Sequence, residues 1–346
     1  MKSVNVHNEW DPLEDIVIGI IDDARLPTAD RSLHSIEFSN HPSLNDIQTG
    51  PFSDKVKEET AEDLEILSNS LIKLGINVRR PSATRTSQEF GTPHWQSNGL
   101  YNYCPRDVIL AINDQLIETP CPLRARYFES FAYRDILLEC FKKGARWISA
   151  PRTELRDELY KDPHPEQMCL HELEPVFDAA NILKIGRDIL YLVSNTGNKM
   201  GGEWLQTILG AEYRVHFCHD LYLHTHIDTT ITLVRPGLVV LNPERVNENN
   251  LPAIFKNWDK IWCPQPVDIG YAGEKPYSSE WIAMNFLMVN PSLAIVDKNQ
   301  KQLIAELNKY KVEVIPLQLR HARTLGGGFH CVSLDLSRKG SLEDYL

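Results

Sequence analysis

The chain has 346 residues, an ordinary hydrophobic share of 42%, and Lys+Arg 36 against Asp+Glu 47 for a formal net charge of −11. A prior of about one domain per ~150 residues allows two domains, while an acidic chain without a basic run is ill suited to phosphate backbones or anionic membranes. No apolar stretch approaches the roughly 20 residues a bilayer requires, and the start MKSVNVHNEWDPLED lacks a signal-peptide core, so a cytoplasmic protein is expected.

The first expected strand is Asp15–Ile20 (DIVIGI). The stretch Ala24–Pro51, with Asn40, His41, Pro42 and Gly50, then reads as a surface excursion that could cover a site. Leu64, Leu67, Leu71 and Leu74 stand at helical spacing before Gly75, predicting a helix that stops there and returns as a strand toward Pro81. The same succession of helix, turn and strand recurs in Cys140–Pro151, Thr207–Phe217, Ile254–Pro264 and Leu307–Leu317. Before the first of these recurrences, Phe128, Phe131, Ala132, Cys140 and Phe141 predict a core-facing stripe, with Gly144 as the stop. Short strands opened by a charged or turn residue interleave with this series: Asp107–Asn113, Asp188–Ser194, Gly237–Asn242 and Ser292–Asp297. Their richness in Ile, Val and Leu predicts burial on both faces. Strand–helix–strand units at a loose spacing of about fifty to seventy residues favour a closed, pseudo-symmetric α/β ring in a single domain spanning 1–346; the alternative is an open two-lobed sheet. No GxGxxG or GxxxxGK[ST] follows any strand, so a nucleotide cofactor has no support.

Candidate chemistry sits at four places. Asp107 opens a hydrophobic strand, where it either lines a ligand crevice or caps a turn. Asp178, between Phe177 and two alanines, is either a turn cap or a buried carboxylate in need of a partner such as a catalytic histidine. In LHTHIDTTITLV (Leu223–Val234), strand alternation puts His224, His226, Asp228 and Thr230 on one face. That face suits either a 2-His-1-carboxylate metal site or one acid/base histidine beside a carboxylate that binds a cation. The seven cysteines are scattered and lack a CxxC pair, which excludes a zinc ribbon. Of these, Cys331 stands out, because in GGGFHCVSLDL alternation places it on the polar face and points His330 away from it. A nucleophilic Cys331 therefore needs a base from elsewhere in the chain.

These segments together resemble the amidinotransferases, a family that includes the glycine and inosamine-phosphate enzymes. The likeness runs from about Val4 through NEWDPLED, CPRD, EPVFDAAN, EWLQ, THIDTT, NPERV, SSEWIAMN and GGGFHC, in order and over nearly the whole chain. It implies a fivefold pseudo-symmetric α/β propeller and transfer of an amidino group from L-arginine to an amine, glycine or an inosamine phosphate, through an amidino-cysteine. A guanidine-group hydrolase of the arginine deiminase kind is the alternative. By this resemblance Cys331 is the nucleophile, His226 the acid/base and Asp178 its partner. Asp107 and Asp228 bind substrate, as do Arg245 of NPER and Ser278 and Ser279 before the EW dipeptide. No metal and no cofactor are implied. The expected partners are small-molecule substrates, without nucleic acid or membrane, and a homodimer is admitted. Features such as NVHNEW, LPTADRS and Thr225 before His226 resemble the inosamine-phosphate branch, whereas Ser278–Ser279 resembles the glycine branch.

Overall fold

The computed structural model describes residues 3–345. Among them, five three-stranded sheets share one strand order: an antiparallel pair whose middle strand is joined in parallel by a third strand, with none closing into a barrel. The architecture is α/β. The first sheet has Leu13–Ile18 in the middle, antiparallel to Ser333–Arg338 and parallel to Asn77–Arg79. The second is Ile109–Ile112, Gln115–Glu118 and Arg146–Ser149; the third is Ile182–Ile185, Asp188–Leu192 and Arg214–Cys218. The fourth is Ile231–Arg235, Leu238–Leu241 and Asp259–Trp262; the fifth is Leu287–Asn290, Leu293–Asp297 and Glu313–Leu317. Among the described residues no helix is long and apolar enough to cross a membrane.

Each strand of the two interleaved series exists, but the repeating unit is strand–strand–helix–strand. Gln115–Glu118, Ile182–Ile185 and Leu287–Asn290 were not anticipated, and in the second sheet the middle strand is Gln115–Glu118, with Ile109–Ile112 outside it. The middle strands Asp188–Leu192 and Leu238–Leu241 are buried throughout, as expected of strands covered on both faces.

The parallel step needs a crossover, and helices supply most of them. Helix Asp54–Lys73 starts at Ser53, whose side chain accepts from the Val56 amide, and buries Val56, Leu64, Leu67 and Leu71 along one stripe. It ends where Gly75 takes φ +83°, as its sequence predicts. The fourth crossover is an exception: the helical reading of Ile254–Trp258 reduces to a 3-10 turn, Ala253–Phe255, because Pro252 and the Asn-rich turns before it leave too few residues for a helix. The expected stripe through Phe128 and Phe141 is also corrected. A 3-10 segment, Glu129–Tyr133, precedes helix Arg134–Lys142 and breaks the phase. Ala132 and Cys140 are buried, but Phe128, Phe131 and Phe141 are exposed.

Candidate active site

The candidate residues lie in the short connections that lead into the first strand of each antiparallel pair. Asp107 is in the single helical turn Pro105–Val108 before Ile109–Ile112, and Asp178 immediately precedes the 3-10 turn Ala179–Asn181 before Ile182–Ile185. His226 and Asp228 precede Ile231–Arg235, and Cys331 lies in the turn before Ser333–Arg338. Two strand assignments are therefore corrected. Residues 221–230 form bends and turns, and residues 329–332 form a turn, so side-chain alternation does not govern either segment. His226 has φ +53°, a conformation no strand contains.

Cys331 is buried, and its Sγ lies 3.3 Å from Asp228 Oδ2 and 3.1 Å from Asn285 Nδ2. Asn285 also accepts the Cys331 amide on Oδ1 at 2.9 Å, so one side chain grips both the sulfur and the backbone of Cys331. His226 Nε2 is 3.1 Å from Asp178 Oδ2 and its Nδ1 is 3.7 Å from Asp107 Oδ1. Asp107 is held from its other oxygen by Arg126, Nη1 to Oδ2 at 2.7 Å, and Arg126 is itself paired with Glu129 at 2.7 Å. Asp228 Oδ2 receives His330 Nδ1 at 2.8 Å. Thus His330 and Cys331 meet the same carboxylate rather than opposite faces of a strand. Asp107, Asp178 and Asp228 each retain a second oxygen, Oδ1, that is buried without a hydrogen-bond partner. Buried acceptors left open are costly, and they mark where a ligand's N–H groups belong.

The local fields follow from this packing. His226 is lowered by burial but raised more by Asp107 and by its hydrogen bond to Asp178, so its ring is held well above the ordinary histidine value. The contact with Cys104, burial and the Asp228 charge push the Cys331 thiol well up, and His226 only partly opposes them. Burial raises Asp107 despite His226 and Arg126. Burial also acts on Asp228, but the hydrogen bond and charge of His330 outweigh it and hold that carboxyl low. Both the His226 ring and the Cys331 thiol are therefore pushed toward their protonated forms.

A small cavity opens on this group, lined by Asp107, Asp178, His226, Arg126, Tyr277 and Glu37. Glu37 follows the short helix Arg31–Ile36 inside the Ala24–Pro51 excursion, which does reach the site. Arg245 stacks on Tyr222, 3.6 Å from the ring centroid, and bonds Thr229, Thr230 and, at 3.2 Å, Ser279 Oγ. Ser278 is not brought into this set: its hydroxyl meets the Ser279 carbonyl. Nor is His224, whose ring packs edge-on against Tyr222 at 5.4 Å. The metal reading of His224, His226 and Asp228 is thus corrected, since a turn does not align alternate residues. The described residues whose potential ligand atoms lie within 4.8 Å of one another are Asp107, His226 and Cys331.

Asn285, His330 and Arg126 were missed from the sequence. Asn285 had a usable signal, because it stands two residues before the strand starting at Leu287, as Asp107 does before Ile109. His330 was lost to the false strand assignment, and nothing in the sequence marks Arg126.

No family model matches the chain. It is 53% identical over 346 residues to inosamine-phosphate amidinotransferase 1 of Streptomyces glaucescens, covering 100% of this chain and 99% of the relative. Among solved structures it matches an inosamine-phosphate amidinotransferase from Streptomyces griseus with a TM-score of 0.98 at 50% identity, covering 100% and 99% of the two chains. DDAH from Pseudomonas aeruginosa, solved with citrulline, shares the fold alone, with a TM-score of 0.60 at 13% identity over 94% of this chain and 99% of that one.

Proposed function

The chain belongs to the amidinotransferase family, and from that premise we propose that it moves the amidino group of L-arginine to an amine through Cys331 and releases ornithine. One observation carries the residue assignment: three open carboxylate oxygens, on Asp107, Asp178 and Asp228, stand around one thiol and one charged imidazole. A guanidinium stays cationic in any protein and presents a fork of N–H donors, so Asp107 and Asp228 are suited to grip it over the sulfur. Arg126 on Asp107 already illustrates that pairing.

Bound guanidinium cancels the negative field that keeps the Cys331 proton in place, and the thiol releases that proton to solvent. The thiolate attacks the central carbon. His226 gives its proton to the departing nitrogen, ornithine leaves as an amine, and a cationic amidino-cysteine remains. The acceptor enters as a free amine and attacks the same carbon. His226 takes the proton, the C–S bond breaks, and the thiolate is restored with the amidinated product. Asp178 orients the ring and stabilises its charged form. Asn285 donates to the sulfur throughout. Arg245, with Ser279 beside it, is assigned to a substrate carboxylate, and Ser278 lies next to that contact. The acceptor best supported is an inosamine phosphate, on the 53% relative, with glycine as the competitor.

The recurring order of the five sheets supports their arrangement as blades of a fivefold pseudo-symmetric propeller in a single domain. Asp107, Asp178, Asp228, Asn285 and Cys331 each come from the entry to a different sheet's first strand. Strand starts that converge on one axis would bring those five together. We take the enzyme to be cytoplasmic and to act on small molecules without cofactor, as a monomer or homodimer.

Incubation with L-arginine followed by mass spectrometry tests the reading. The expected result is one amidino group on Cys331, absent in Cys331→Ser, with stoichiometric ornithine; discharge by inosamine phosphate rather than glycine identifies the acceptor. Citrulline in place of ornithine would establish a hydrolase instead. Chelators are expected to leave turnover unchanged.

A further inference from the structure

His330 is buried beside the nucleophile, and its ring lies between two carboxylates: Nδ1 is 2.8 Å from Asp228 Oδ2, and Nε2 is 3.2 Å from Glu9 Oε2. Behind it the charges alternate. Glu9 meets Lys184 Nζ at 2.9 Å and Arg106 Nη1 at 3.4 Å. Arg106 continues to Asp335 at 2.9 Å, and Arg338 meets Asp335 from the far side at 2.8 Å. Arg106 Nε also donates to the His330 carbonyl at 2.7 Å and to the Ser333 carbonyl at 2.9 Å, which fixes the backbone of the turn that carries Cys331. All of these side chains are buried. Ionised carboxylates only accept, so a ring held between two of them donates from both nitrogens, and only the imidazolium form does that.

We propose that His330 is a positioning residue for amidino transfer: a buried cation, braced by Glu9, that fixes Asp228 by Oδ2 and leaves Oδ1 presented to the guanidinium. The inference rests on the guanidinium-binding role assigned to Asp228. The charged and titratable groups facing Asp228 are His330, His226, Cys331 and Arg106, and those facing Glu9 are Lys184, Arg106, His330 and Asp335. Burial pushes both carboxyls up, and in both the surrounding cations and hydrogen bonds win. With a neutral residue at 330, Asp228 loses its largest opposing influence to burial, takes up a proton, and no longer binds a guanidinium as an anion. The rotamer of Asp228 loses its anchor at the same time.

The test compares His330→Gln, Asp228→Asn and the double variant by L-arginine binding and by single-turnover ornithine release, from about pH 6 to about pH 9. In His330→Gln the Kd for arginine is expected to rise about tenfold or more near neutral pH, the scale of one lost charge-assisted contact. The defect relative to wild type at the same pH shrinks as pH rises and Asp228 ionises again. In the Asp228→Asn background His330→Gln adds nothing to the Kd. A Kd unchanged by His330→Gln, or a loss that is the same at every pH, overturns the proposal. Unimpaired arginine binding by Asp228→Asn overturns instead the guanidinium role of Asp228. A second measurement needs no variant: in wild-type protein labelled with 15N histidine at neutral pH, both His330 ring nitrogens carry protons, and a neutral His330 ring overturns the proposal.

Discussion

His226 adopts φ +53°, where non-glycine residues are uncommon and cost free energy to hold. That backbone turn points its ring between Asp178 and Asp107 while Asp228, two residues later, faces His330 and Cys331. Two predictions belong at this scale. The first concerns pH: in the proposed reaction the Cys331 thiol loses a proton and His226 keeps one, and both are held above their ordinary values. In the free enzyme the thiolate fraction therefore grows with rising pH. Bound guanidinium, which neutralises Asp107 and Asp228, moves that rise to lower pH. Accordingly kcat/KM for arginine should still climb into the alkaline range where kcat has already levelled; superimposable profiles would show that substrate does not assist the deprotonation. The second concerns Asn285, which touches the sulfur and the Cys331 amide. Asn285→Ala should lower kcat by about 10²-fold with little change in KM, on the scale of one preorganised donor.

At the level of elements, the turn that carries Cys331 depends on its glycines. Gly326 closes the short helix Ala322–Leu325 at φ +78°. Gly328 is conformationally ordinary but sterically confined: a Cβ there would stand 2.8 Å from Asn285 Cβ, O and Oδ1. Gly328→Ala should therefore push Asn285 off the sulfur, costing about 1–3 kcal/mol of stability and more activity than stability, measured as kcat beside a denaturant midpoint. The GGG run and the Cys were legible in the sequence as a place of close approach. The alternation rule failed there because the turn extends to Val332 and the strand begins only at Ser333. The same failure occurred at Leu223–Thr230, where apolar alternation mimics a strand but the backbone satisfies itself in turns, such as the Thr230 amide to the Ile227 carbonyl at 2.8 Å. In both places the sequence singled out the candidate residues but not the turn that orients them.

At the level of the whole molecule, residues from the two ends of the chain meet. Arg106 is buried between Glu9 and Asp335 and holds the carbonyls of His330 and Ser333. Removing its charge leaves two buried carboxylates without that partner. Arg106→Leu should cost about 3–5 kcal/mol, read as a lower Tm and denaturant midpoint. The loss should fall on stability and activity together, because the same guanidinium braces the turn of Cys331.

Local pattern was enough to locate the strands Leu13–Ile18, Asp188–Leu192 and Leu293–Asp297 to within two residues, the helix stops at Gly75 and Gly144, and Cys331 as a candidate nucleophile, whereas the roles proposed for His226 and Asp178 rest on the family resemblance. Hydrophobic periodicity and turn chemistry act over a few residues, and a one-dimensional reading has access to them. What the tertiary structure alone decided is which groups share a carboxylate. His330 and Cys331 on Asp228, Arg126 on Asp107 and Asn285 on the sulfur are contacts across large sequence separations. They are set by where separate sheets begin, and no spacing along the chain encodes them.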